Sequence, residues 1–153
     1  MLIIGHRGAR GEAPENTLSG FNYLKSLGVF ALELDIHVSK DQQLVVIHDY
    51  SLERTTTGVG LVKEQHATDL AALNACFYFK DWPYHDGVPL LKDVLALVND
   101  FVHLQLEVKV KDAEDYAIVG RELAKLWPHL THRIVTTSFN TDYLAYMQEQ
   151  TCF

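Results

Sequence analysis

Cysteine is nearly missing from this chain. Only Cys76 and Cys152 occur, far apart and without a Cys-x-x-Cys spacing, which argues against a disulfide framework and against a zinc site built on thiolates. Both read as ordinary thiols. Long apolar runs are missing too. No stretch approaches the ~20 residues that a bilayer-spanning helix needs, and the start MLIIGHRG lacks the basic opening and long apolar centre of a signal peptide. The expected location is therefore the cytoplasm. Positive charge is in deficit, with 13 Lys+Arg against 20 Asp+Glu and a formal net charge of −7. That sets aside a nucleic-acid-wrapping surface while leaving room for a local basic pocket. Internal repeats and low-complexity linkers are absent as well. What is present is a 153-residue chain with 48% hydrophobic and 22% charged residues, the makings of one domain with an ordinary core.

Periodicity divides the chain into alternating strand-like and helix-like pieces. Leu2–Ile4 reads as a short strand ending at Gly5. From Asn16 to Leu27 the residues Leu18, Phe21, Leu24 and Leu27 fall at helical spacing, and Gly28 supplies a stop. In VFALELDIHV, Leu32, Leu34, Ile36 and Val38 point one way and Glu33, Asp35 and His37 the other, the pattern of a strand with a charged face. Lys40 and Asp41 open a reversal into a strand over Leu44–Ile47, with His48 and Asp49 at its end. The stretch Ser51 to Pro89 reads as an insertion, a loop around Gly58 and Gly60 followed by a short helix and an aromatic cluster. After it, Leu91, Val94, Leu95 and Val98 form one helical face, and VHLQLEVKV repeats the strand alternation. Asp112 is placed to cap a helix with Tyr116, Val119, Leu123 and Leu126 as its buried stripe, ending before Pro128. RIVTTSF is a further strand and Thr141–Gln150 a last helix.

Strand and helix in alternation imply parallel strands joined by crossover helices, the α/β class. The helices cover the apolar side of each strand. The other side, with Glu33, Asp35, Gln105, Glu107 and Lys109, then faces a second helix layer or a barrel lumen, and five polar groups suit the lumen. Side chains at the carboxyl ends of barrel strands meet at one mouth, where enzymes of that fold do their chemistry. Glu33, Asp35 and Glu107 would repel one another there unless a cation sits among them, and oxygen donors favour Ca2+ or Mg2+ over zinc. The same residues also fit a structural salt-bridge network with Lys109 and Arg7. His6 and His48 stand at strand ends as a pair that can divide a phosphoryl transfer, one withdrawing a proton and the other protonating the leaving oxygen. Arg7, Lys109 and the metal would offset the charge that builds on phosphorus. Tyr78, Phe79, Trp82 and Tyr84 fit either an aromatic cap over the core or the wall of an alcohol or lipid pocket.

The set GHRGARGEAPENT, ELDIHVSKDQQLVVIHDYSLERTTTGVG, VPLL and LEVK resembles the glycerophosphodiester phosphodiesterase family across essentially the whole chain. His-Arg-Gly, Pro-Glu-Asn-Thr, Glu-x-Asp, His-Asp and Glu-x-Lys occur in family order. The resemblance implies a (β/α)8 barrel, a divalent metal, and hydrolysis of glycerophosphodiesters to glycerol 3-phosphate and an alcohol. It implies Glu33, Asp35 and Glu107 as metal ligands, His6 and His48 as acid and base, Arg7 and Lys109 as phosphate partners, and Glu15 and Asn16 as support for the site. It also implies that about 48–89 is the family's inserted segment, shaping the substrate entrance after the second barrel strand. Attack by the substrate's own glycerol hydroxyl, through a cyclic phosphate that water opens, is the mechanism it suggests. Leu90 and Thr137 depart from the pattern, which has threonine and serine there.

A (β/α)8 barrel takes ~250 residues, whereas this chain carries about four to five strand-helix units. The last strands are expected to be missing, and an open parallel sheet exposes raw edges and an uncovered apolar face. Three outcomes follow: a fragment of a longer enzyme, a homo-oligomer whose second copy completes or covers the barrel, or an inactive remnant that serves as a metal-binding or self-associating module. Among enzymes, a relative with the same barrel, of the sphingomyelinase D or phosphatidylinositol-cleaving type, is the alternative.

Overall fold

In the computed structural model, which describes residues 1–126 and 133–150, the first strand begins later than its apolar run suggests. β1 is Gly5–His6, and Leu2 and Ile3 stand 56% and 61% exposed. The register explains the shift: Gly5 lies opposite Leu32, so the residues ahead of Ile4 run past the start of the neighbouring strand and find nothing to pair with. Next come α1 (Leu18–Ser26), β2 (Ala31–Val38), β3 (Leu44–Val46), a 3-10 turn (Val62–Glu64) and α2 (Ala67–Ala71). α3 (Leu91–Leu97), β4 (His103–Val108), α4 (Ala113–Leu126), β5 (Arg133–Thr137) and α5 (Thr141–Gln150) follow.

The parallel order is β1-β2-β4-β5, with α1, α3 and α4 as the crossovers. This is the N-terminal portion of a (β/α)8 barrel. β3 follows the expected reversal, folding back antiparallel on β2. Only Ser39–Gln43 separate the two strands, and a parallel return needs a dozen or more residues. Ser39 Oγ donates to Asp41 and accepts from Gln43 N, and Gln42 takes a positive φ of 60°, closing the hairpin. Because β4 occupies one edge of β2 over Ala31–Ile36, β1 and β3 share the other, β1 at its beginning and β3 at its end. His48 therefore descends to the mouth from an antiparallel strand and not from the end of a barrel strand.

α1 starts where Thr17 Oγ1 accepts from Gly20 N, an N-cap, and ends before Gly28 at φ 75°. Its Phe21 and Leu24 are buried while Leu27 is half exposed, so the apolar stripe is one residue shorter than the spacing suggests. Phe21 and Leu24 join Leu32, Leu34, Ile36, Leu91, Val94, Leu104 and Leu106 in the main core between the sheet and its helices. α4 adds Tyr116, Val119 and Leu123. The Asp112 carboxylate accepts from Lys63 at 2.5 Å, and its carbonyl takes Asp115 N. A second, smaller core of Val45, Ile47, Leu52, Val62, Leu70 and Val88 underlies the segment between β3 and α3. Cys76 is a buried free thiol facing Ser19 of α1; Cys152 and Pro128 lie outside the described residues.

Candidate metal and acid/base centre

The site grows out of β2 and β4. All eight residues of β2 are buried, and on its inner face Glu33, Asp35 and His37 are 6%, 0% and 5% exposed. Parallel register sets Asp35 directly opposite Glu107 of β4. Glu33, Asp35 and Glu107 each turn one carboxylate oxygen to a common point, with those atoms all within 4.8 Å of one another. Two oxygens on opposite sides of a calcium ion stand about 4.6–5.2 Å apart, so the triad has the size and donor type for a hard divalent cation. Glu33 Oε1 supports that fit, being buried without a hydrogen-bond partner; Asp35 Oδ1 is buried as well, with the Lys109 ammonium as its neighbour. Burial first, and the Asp35 charge second, push the Glu33 carboxyl up to about 7.

Both readings of these carboxylates, metal ligands and salt-bridge network, have support. Lys109 Nζ lies 3.3 Å from Asp35 Oδ1 and also bonds Glu107. Arg7 Nε lies 3.2 Å from Asp35 Oδ2, and its Nη1 donates to Glu15 at 3.1 Å. The backbone reinforces this, since Arg7 takes a left-handed φ of 53° that aims its own N–H at Glu33 Oε2, 2.9 Å away. Asn16, at φ 55°, donates through Nδ2 to Asp35 Oδ2 at 3.0 Å, while its N–H meets the Arg7 carbonyl. Two strained non-glycine residues at one site, each costing on the order of 1 kcal/mol or more, hold the cations and amide against the inner face. Two glycines have a conformational reason here. Gly8 follows Arg7 at φ 88°, and a Cβ on Gly5 would meet Leu24 Cδ2 at 2.5 Å; neither needs an approaching anion to explain it.

The two histidines have different surroundings: His6 touches this centre, and His48 is tied to Asp49 and His37. His6 Nε2 is 3.8 Å from Glu33 Oε2 with its side chain 57% exposed. Burial, then Arg7 and Arg10, lower its pKa. His48 is more enclosed, its Nδ1 2.5 Å from Asp49 Oδ1 and its carbonyl accepting from His37 Nε2 at 3.0 Å. Burial drives His37 down to about 4, so it acts as a neutral donor. Glu15 is 5% exposed; burial would raise its pKa, but Arg54 and then Arg7 outweigh that and lower it. A cavity of about 250 Å3 opens beside the cluster, lined by Lys63, Lys109 and Lys111 together with Asp112, Asp115, His37 and Tyr50; its charge is mixed, and Lys63 is paired with Asp112. Lys111 lies over the Tyr50 ring, 3.9 Å from its centroid.

The sequence places His37 on the charged strand face, Asp49 beside His48 and Tyr78 in the aromatic cluster without assigning them to the site, and it leaves Arg54 unmarked. Asp49 sits next to His48, and Arg54 is the one cation in SLERTTTG, which is all the signal they offer. Tyr78 OH accepts from Glu15 N at 2.8 Å. The other aromatics run edge to face as Tyr78, Phe79, Trp82 and Tyr84, tied to α1 by Trp82 Nε1 donating to Ser19 Oγ. Leu90 pairs with Val45. Thr137, opposite Glu107 on β5, has a buried Oγ1 without a hydrogen-bond partner.

A model of the glycerophosphoryl diester phosphodiesterase family matches residues 6–151. The chain belongs to this family. It is 37% identical over 147 residues to the Bacillus subtilis protein YqiK, which is described as uncharacterized, covering 94% of this chain and 60% of that one. To a glycerophosphodiester phosphodiesterase of Bacillus altitudinis it is 34% identical over 148 residues, with the same 94% and 60% coverage. Among solved structures, an Oleispira antarctica phosphodiesterase in complex with the product sn-glycerol-3-phosphate matches at TM-score 0.90 and 27% identity, over 98% of this chain and 62% of that one. A glycerophosphodiester phosphodiesterase from Agrobacterium tumefaciens matches at TM-score 0.80 and 30% identity, over 97% and 62%. The chain thus spans between 41% and 60% of the length of its Bacillus and Caldanaerobacter relatives, a share of the phosphodiesterase barrel that includes the acidic cluster. No helix among the described residues is long and apolar enough to cross a membrane.

Proposed function

We propose that this chain carries the metal and acid/base groups of a glycerophosphodiesterase, which hydrolyses a small glycerophosphodiester such as glycerophosphocholine to glycerol 3-phosphate and an alcohol. The observation that carries this reading is the convergence of Glu33, Asp35 and Glu107, their oxygens within 4.8 Å, with His6 Nε2 3.8 Å from Glu33. A Ca2+ or Mg2+ held by these carboxylates supplies Lewis-acid polarisation of a phosphoryl oxygen. His6 and His48 divide the proton transfers. One imidazole takes the proton of the substrate's glycerol hydroxyl as that oxygen bonds to phosphorus, and the other protonates the departing alcohol oxygen as its bond to phosphorus breaks. Water then opens the cyclic phosphate with the proton roles exchanged. Arg7 and Lys109, already facing Asp35, offset the negative charge that develops on the phosphoryl oxygens. Glu15 and Asn16 support the site by holding Arg7 and Asp35. The segment 48–89 is the family's inserted segment and borders the substrate entrance.

The test is release of glycerol 3-phosphate from glycerophosphocholine by the full chain, with and without a chelator, at two protein concentrations. Chelator-sensitive product is expected. Its absence from folded protein would overturn the reading. Specific activity that falls on dilution would show that a second copy completes the site.

A further inference from the structure

Arg54 has no part in the chemistry above, yet its guanidinium makes four charged hydrogen bonds to two carboxylates. Its Nε donates to Asp49 Oδ2 at 2.5 Å and its Nη2 to Asp49 Oδ1 at 3.1 Å. Toward the other side, Nη1 donates to Glu15 Oε2 at 3.0 Å and Nη2 to Glu15 Oε1 at 2.8 Å. Four of the five N–H bonds of the guanidinium fork are thus committed to two carboxylates. The backbone beneath is fixed: Leu52, Thr55 and Thr56 are buried, and Thr56 bonds the Leu52 carbonyl through both N–H and Oγ1. A row of alternating charges results, from Asp35 through Arg7, Glu15, Arg54 and Asp49 to the His48 ring.

We propose that Arg54 is a positioning residue for His48, acting through Asp49. The inference rests on the reading of His48 as an acid/base group. An aspartate one residue along the chain from a histidine has several rotamers open to it. Arg54 grips both of its oxygens and leaves Oδ1 aimed at His48 Nδ1. An ionised carboxylate only accepts, and the Arg54 hydrogen bond, against the effect of burial, holds Asp49 down to about 2. Nδ1 must then carry the ring proton in the neutral histidine, so Nε2 is the nitrogen free to take a proton from the attacking oxygen. Arg54 does not serve as a phosphate ligand, since its donors are already engaged and the Glu15–Arg54–Asp49 group carries net negative charge. Lysine cannot replace it, for an ammonium lacks the planar fork that spans both carboxylates.

Nitrogen-15 NMR of the full chain without substrate, with the His48 ring assigned by loss of its signals in His48→Gln, reads the tautomer directly. Wild type is expected to show the Nδ1–H form, Arg54→Lys a partial shift, and Arg54→Gln a mixture. Asp49→Asn, which can present an amide donor to Nδ1, should favour the Nε2–H form. In parallel, kcat of Arg54→Gln should fall by about 10- to 100-fold, the usual effect of losing an orienting partner of a functional histidine, while KM changes by less than about threefold. A folded Arg54→Gln that keeps the wild-type tautomer and kcat overturns the proposal, as does a variant that raises KM alone, the mark of a substrate contact. Should Arg54→Gln fail to fold, Asp49→Asn decides, and an unchanged His48 tautomer there is equally fatal. If wild type hydrolyses nothing, the proposed function fails, and the NMR arm still tests the positioning.

Discussion

The two faces of β2 are equally dry and chemically opposite. On the outer face Leu32, Leu34 and Ile36 are fully buried in the main core, and each gains about 1.5–3 kcal/mol by leaving water. On the inner face, one residue out of step, Glu33, Asp35 and His37 are almost as enclosed, and burial works against them. Ion pairs to Arg7 and Lys109 and the amide of Asn16 compensate that cost at best, because hydrophobic replacements of buried ion pairs are often neutral or stabilising. The outer face therefore specifies the fold. The inner face is kept for chemistry, and a chain selected only for stability would not gather two buried carboxylates and a third, partly buried one around one point.

That contrast predicts separable phenotypes. The largest effect is expected for His48→Ala, a fall in kcat of about 10^2- to 10^4-fold with metal affinity intact by calorimetry; loss of both together would make His48 part of the metal scaffold. Next comes Leu34→Ala, which should cost about 2–5 kcal/mol in urea unfolding without altering the donor set. Its inner-face counterpart, Glu33→Gln, should leave metal-free stability unchanged or raised, since the amide still accepts from Arg7 N–H and no longer repels Asp35, while metal affinity drops. A smaller effect concerns acid. Asp49 has a folded pKa of about 2 against an ordinary 3.8, so its contribution is full above about pH 4 and lost as pH falls through about 2. Comparing wild type with Asp49→Asn, the stability difference should be about 1 kcal/mol near neutrality, allowing for solvent screening, and should shrink across that window. The smallest effect is at the rim, where Lys63 and Asp112 are 56% and 45% exposed; Lys63→Ala should change stability by less than about 1 kcal/mol.

What the sequence makes legible follows the same division. Alternation in ALELDIHV and HLQLEV places the inner and outer faces correctly because side-chain direction in a strand depends only on parity. Parallel register does the rest, bringing Asp35 and Glu107 together from 72 positions apart in sequence. Parity says nothing about whether a neighbour exists, and for that reason Leu2–Ile4 reads as a strand yet lies exposed. Nor does it give strand direction: β3 has a strand's composition, but the short turn of Ser39–Gln43 decides that it runs antiparallel. Arg54 is the plainest omission. It lies in an irregular loop where no period applies, and its role depends on Glu15, 39 residues away, and on an aspartate whose own partner is a neighbouring histidine.

The central claim is that the three inner-face carboxylates hold a hard divalent ion. Calorimetric titration of the full chain with Ca2+ and with Mg2+, beside Glu107→Gln under the same conditions, tests it most directly. The account predicts one ion bound per wild-type chain and a clear loss of affinity in the variant. No binding to folded wild type, or equal binding by Glu107→Gln, would contradict it.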